Sequence, residues 1–131
     1  MSESEAPWHA HVYATDGERP AAEDLRSRFA EALASGGMEN LLYVGALAET
    51  SVGPHPLPQF EVHFLEGDEP QVRALIEASG LTALIHPLTD DDVADHTSLA
   101  HWIGEPLALD LSVLDPPGVN QGIARFGRSD L

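Results

Sequence analysis

Trp8-His9-Ala10-His11-Val12-Tyr13 sets Trp8, Ala10 and Val12 on one side and His9, His11 and Tyr13 on the other. A period of two is the repeat of a β-strand, whose successive side chains leave on opposite faces. One face is apolar and suits packing on helices. The other carries two imidazoles roughly 6.6 Å apart along the strand, close enough to converge on one cation.

Downstream of this first strand, Asp16-Gly17-Glu18-Arg19-Pro20 forms a turn whose proline suits a first helical turn. Ala22, Leu25, Phe29 and Ala32/Leu33 then recur at helical spacing as far as Gly36-Gly37. Leu41 to Leu47 reads as a second strand, and Gly53-Pro54-His55-Pro56-Leu57-Pro58 as a stiff connection, because three prolines exclude regular structure. Gln59 to Leu65 alternates again, with Phe60, Val62 and Phe64 opposite Gln59, Glu61 and His63. Asp68 stands as N-cap of a second helix carried by Val72, Leu75 and Ile76 and closed by Gly80, and Leu81 to His86 is a fourth strand. The order strand, helix, strand, strand, helix, strand is the split βαβ arrangement of a ferredoxin-like α+β sandwich. Thr89 to Trp102 is expected as an acidic helical insertion and Leu107 to Leu111 as an added strand. The predicted domain spans residues 8–114, between an acidic tail over 1–7 and a loose, Pro- and Gly-punctuated tail over 115–131.

At 131 residues the chain suits one domain. Its 22 acidic residues outnumber 6 basic ones, all arginine, for a net charge of −16. Such a field repels phosphate backbones, so nucleic acid and anionic membrane surfaces are excluded as partners. The acidic start lacks the features of a secretory signal, which predicts a cytoplasmic protein. With no cysteine there is no disulfide, thiolate metal site or thiol nucleophile, and any metal must sit on N and O ligands.

In the split βαβ arrangement the first strand is central, flanked by the antiparallel third and fourth. Glu61 and His63 then share the non-core face with His9 and His11, and His86 ends the fourth strand near the start of the first. A 2-His-1-carboxylate triad, which leaves positions open on Fe(II), can be drawn from this set as His11 and His86, or His9 and His86, with Glu61. The simplest reading of His63 and His101 is surface histidine. His55, between two prolines, has a fixed direction that suits an acid or base. Asp92 and His96 are four apart, so on a helix the carboxylate can orient the imidazole. Serine-hydrolase, zincin, P-loop, dinucleotide and EF-hand signatures are all missing from the sequence.

His9-Ala10-His11-Val12-Tyr13, Gly53-Pro54-His55-Pro56 with Phe60-Glu61-Val62, His86-Pro87-Leu88-Thr89 leading to Asp95-His96-Thr97, and Trp102-Ile103-Gly104-Glu105-Pro106-Leu107 with Leu109-Asp110-Leu111-Ser112 together resemble the DOPA 4,5-dioxygenase-like family. The resemblance runs over roughly residues 8 to 114. It implies a ferredoxin-like fold and extradiol cleavage of a catechol such as DOPA by O₂ at a non-haem metal. His9, His11, His55, His86 and His96 match the family's histidine motifs. Asp90 stands where the family has Gly, and Ala78-Ser79 where it has Asn-Arg, a change expected to remove a carboxylate-binding arginine.

The resulting expectation is Fe(II), or Zn or Mn in a purified sample, held by His9, His11 and His86, with a carboxylate as the alternative to His9. His55 and His96 are the expected catalytic residues, either of them taking the second hydroxyl proton and later delivering it, a role that an imidazole near pKa 6.5 fits. Tyr13 and Glu61 are assigned to the substrate, and a homodimer is expected. The competing reading is a non-catalytic ferredoxin-like module that dimerises through the open sheet face.

Overall fold

The computed structural model describes residues 6–51, 53–124 and 126–127. Along the chain these residues form β1 (Pro7–Tyr13), α1 (Arg19–Ser35), β2 (Leu41–Val44), β3 (Gln59–Leu65), α2 (Glu69–Ser79), β4 (Ala83–Pro87), α3 (Asp92–His96), β5 (His101–Ile103) and α4 (Gln121–Ala124). Both long helices carry a proline in their first turn and end at a glycine in the left-handed region, Gly36 at φ 76° and Gly80 at φ 78°. Only a residue without Cβ adopts that conformation at no cost, so the glycines stop the helices where the sequence places them. Asp68 stands at the N-cap of α2, as expected. Its carboxylate, however, accepts from the backbone N–H of Asn40 at 2.9 Å and makes no cap hydrogen bond.

The strands form one antiparallel sheet in the order β2-β3-β1-β4-β5, an α+β arrangement with β1 between β3 and β4 as the split βαβ pattern requires. Ala10 and Val12 lie opposite Val62 and Phe60 on β3, and Ile85 and Ala83 on β4. These residues pack against Ala22, Leu25 and Phe29 of α1 and Val72 and Ile76 of α2 to form the core. Partners directly opposite in an antiparallel pair share a face. The remaining face therefore brings together His9, His63 and His86 in one row, and His11 with Glu61 in the next.

The expected helical insertion and added strand are corrected. The helix after His86 is only the five residues of α3, begun by the Asp91 side chain accepting from Ala94 N at 3.0 Å. The added strand is His101–Ile103, paired with β4 from Ile85↔His101 to Ala83↔Ile103. It stops at Gly104, which has φ 82° and lies so close to Thr82 that a Cβ there would fall 3.0 Å from the threonine hydroxyl. Leu107, Leu109 and Leu111 alternate as a strand would, but this segment instead bonds to the proline-rich connection, Asp110 N–H to Pro54 carbonyl at 2.8 Å, and turns through a 3₁₀ segment at Leu111–Val113.

The part of 115–131 that is described, expected as a loose tail, packs back over the histidine face. Asp115 N–H donates to Asp92, Asn120 Nδ2 to Asp95 at 2.7 Å, and Gly127 N–H to His63 Nδ1 at 2.9 Å. Among the described residues no helix is long and apolar enough to cross a membrane.

Candidate active site

The histidine face of β1 and β4 is the floor of a cavity of about 310 Å³, at the lower end of the span for small-molecule sites. Pro54 and His55 wall it from the proline-rich connection, Leu88, Asp92 and His96 from the segment after β4, and Leu114, Asp115, Asn120 and Gln121 from the returning tail. His9, His11, His55, His86 and His96 all line it, and all are buried.

The three histidines expected as metal ligands converge: each of His9, His11 and His86 offers one ring nitrogen within 4.8 Å of the others. His11 Nε2 and His86 Nε2 approach to 3.0 Å. The outer nitrogens of this pair are already committed. His11 Nδ1 donates to Gln59 Oε1 at 3.1 Å and His86 Nδ1 to the Pro87 carbonyl at 2.7 Å, both oxygens that can only accept. A neutral imidazole has one N–H, so both Nε2 atoms carry lone pairs, and these point at each other. Burial, followed by the charges of neighbouring histidines, holds both imidazoles well below the ordinary pKa and opposes a proton between them. A divalent cation satisfies both: nitrogens held at about 2.1 Å and roughly a right angle on one ion stand about 3.0 Å apart. The donor set therefore fits a metal that accepts imidazole ligands. The carboxylate alternatives do not assemble in the same way, since among the described residues Glu61 converges with His9 and His63. Its oxygens lie 3.7 Å from His11 Nδ1, the nitrogen facing away from His86, and 3.9 Å from His63 Nε2.

His55 and His96 flank the pair, the former with its ring centre 4.3 Å from that of His11, the latter 4.4 Å from that of His86. His96 Nδ1 donates to the Asp92 backbone carbonyl at 2.7 Å, nearer than the carboxylate at 3.4 Å that the four-residue spacing suggested. Its Nε2 is thereby left as the acceptor. Burial and the neighbouring His96 push His55 down to about 3, which corrects the expected value near 6.5. His55 Nδ1 and the Tyr13 hydroxyl share a hydrogen bond of 2.7 Å. Tyr13 is fully buried, stacks on Trp102 and is absent from the cavity lining, so its neighbour is His55 where substrate was expected. Glu61 does line the cavity.

His101 is exposed, as its reading as a surface histidine required, but His63 is not. Its ring stacks on His9 at 3.8 Å and is covered by Phe126 at 5.7 Å. Three further residues escaped the sequence reading. Gln59 was legible in principle, because it stands two residues before Glu61 on the same strand face and so belongs beside the histidines. Asp95 and Asn120 left no such signal. Asp95 is fully buried and accepts from Thr89 N, Thr89 Oγ1 and Asn120 Nδ2, a pairing across 25 residues. Ala78 and Ser79, where an arginine was expected to be missing from the site, lie at the end of α2 and do not line this cavity.

A family model described as the Dopa 4,5-dioxygenase family matches residues 8–113. The chain belongs to that family. The crystal structure of a candidate dioxygenase from Nostoc punctiforme is similar at a TM-score of 0.68 and 32% identity, over 84% of this chain and 91% of that one. An uncharacterized 21.2 kDa protein from Botryotinia fuckeliana is 37% identical over 78 residues, and the match spans 50% of this chain and 42% of that relative's length. Family and structural neighbour together support a dioxygenase-like function.

Proposed function

We propose that the protein is a metal-dependent extradiol dioxygenase that opens a catechol ring with O₂, using His9, His11 and His86 to hold the metal. The observation that carries this reading is the 3.0 Å approach of two buried Nε2 atoms whose Nδ1 partners are both committed elsewhere. Fe(II) bound there would supply the charge that lowers the catechol pKa and vacant positions for O₂. Zn or Mn could occupy the same donors in a purified sample. Both oxygen atoms of O₂ enter the product as the carbon–carbon bond beside the diol breaks, so no external reductant is required.

The chain's own contribution is proton handling and enclosure. His55 is neutral at pH 7 and weakly basic in the free site. It takes up the second hydroxyl proton only as a bound catechol brings negative charge alongside it, and Tyr13 fixes its ring for that step. His96, oriented by the Asp92 carbonyl, presents Nε2 to accept and return a proton. Pro54, Leu88 and Leu114 give the cavity its apolar lining, which disfavours water there.

Substituting His55 or His96 with Ala should slow O₂ uptake by about 10²-fold or more while bound metal is retained, the scale of a general acid or base. Full activity in both variants would remove them from the mechanism. The reading as a dimeric module has less support, because the chain's own loops and tail already cover the histidine face it would use.

A further inference from the structure

Among the described residues the charges around the cavity all have one sign. Among the described residues its lining carries three carboxylates, Glu61 from the sheet, Asp92 from α3 and Asp115 from the tail, and no arginine. The chain has no lysine. The four described arginines are engaged on other elements: Arg19 with Glu49, Arg26 with the Gly45 carbonyl, Arg28 with Asp24 and Arg73 with Glu69. Asp115 lines the cavity and is half-buried, its carboxylate accepting from Gln121 N at 2.8 Å and its own N–H donating to Asp92. It lies beyond residue 113, outside the stretch matched by the family model, on the segment that Asn120 ties to Asp95.

A carboxylate on a substrate's ring substituent would therefore meet three like charges and, among the described residues, no cationic side chain, the metal's charge being taken up by the two diol oxygens, whereas an ammonium would meet complementary charge. From this we infer that the site selects catechols whose side chain carries no carboxylate, with a protonated amine favoured over a neutral group. The inference rests on the dioxygenase reading and gives it a substrate class.

Dopamine, 4-methylcatechol and dihydrocaffeate share the catechol ring and differ in side-chain charge, which makes them the probes. Anaerobic calorimetric titration of the Fe(II)-loaded protein, paired with O₂ uptake, reads binding and kcat/KM separately. Dopamine and 4-methylcatechol are expected to exceed dihydrocaffeate by at least about tenfold in both, the scale of one charge contact at a partly buried site. Asp115→Asn, which keeps an acceptor for Gln121, should narrow that ratio at least threefold. Equal or better binding of dihydrocaffeate overturns the inference. If that preference then disappears in Arg125→Gln or Arg128→Gln, whose positions lie outside the described residues, a tail arginine supplies a carboxylate pocket. Binding in the expected order without O₂ uptake would sink the dioxygenase reading and leave the charge selection standing. No binding of any catechol would sink both.

Discussion

Acid should unfold the metal-free protein sooner than its carboxylates alone would allow. His11, His55 and His86 are buried, and desolvation holds each below the ordinary imidazole value, His55 at about 3. In the unfolded chain each titrates near 6.5. Below that pH the unfolded state takes up a proton that the folded state refuses, so stability is whole above about pH 6.5 and falls as pH drops toward the folded values. Together the three imidazoles forfeit on the order of 4 kcal/mol by pH 5.5, against a typical total of roughly 5–15 kcal/mol. Urea denaturation of chelator-treated protein at pH 7.5 and 5.5 provides the assay. With m of roughly 1–3 kcal/mol/M the midpoint should fall by about 2 M, and His55→Gln should remove about a third of the shift. A midpoint that is flat or rises on acidification would refute the claim that these imidazoles are held neutral by burial.

Two further predictions concern side chains that support the site. Tyr13→Phe removes the hydroxyl from His55 and should lower kcat by about 10-fold or more with little change in KM, and an unaltered kcat would mean that the tyrosine does not position the base. Asn120→Ala takes a donor from the buried carboxylate of Asp95 and should cost about 1–3 kcal/mol in urea denaturation. Asn120→Asp should cost more at pH 8, where it sets a second charge beside Asp95, and equal stability of the two variants would show that the tail is not tied there.

The sheet and its first two helices were legible because their signals are local. Period two in Trp8–Tyr13 and Gln59–Leu65 follows from backbone geometry, and Pro20, Gly36 and Gly80 mark helix ends through φ restrictions that need no tertiary partner. Convergence of His9, His11 and His86 followed from that topology. The segment after β4 was misread because Leu107, Leu109 and Leu111 alternate without a strand to pair with, while the real edge strand, His101–Ile103, is too short to show a period. His63 was misjudged for a different reason. Its burial depends on Phe126 and Gly127, more than sixty residues away, and no local pattern announces that the tail returns over the sheet. The depressed pKa of His55 has the same origin, being a property of the closed cavity and not of the two prolines beside it.

Anaerobic titration of the chelator-treated protein with Fe(II), followed by calorimetry, tests the central claim most directly. The account predicts one ion per chain in the wild type and affinity lowered by about 10²-fold or more in His11→Gln and in His86→Gln, with both variants still folded by circular dichroism. Undiminished binding in His86→Gln, or no stoichiometric binding in the wild type, would contradict it.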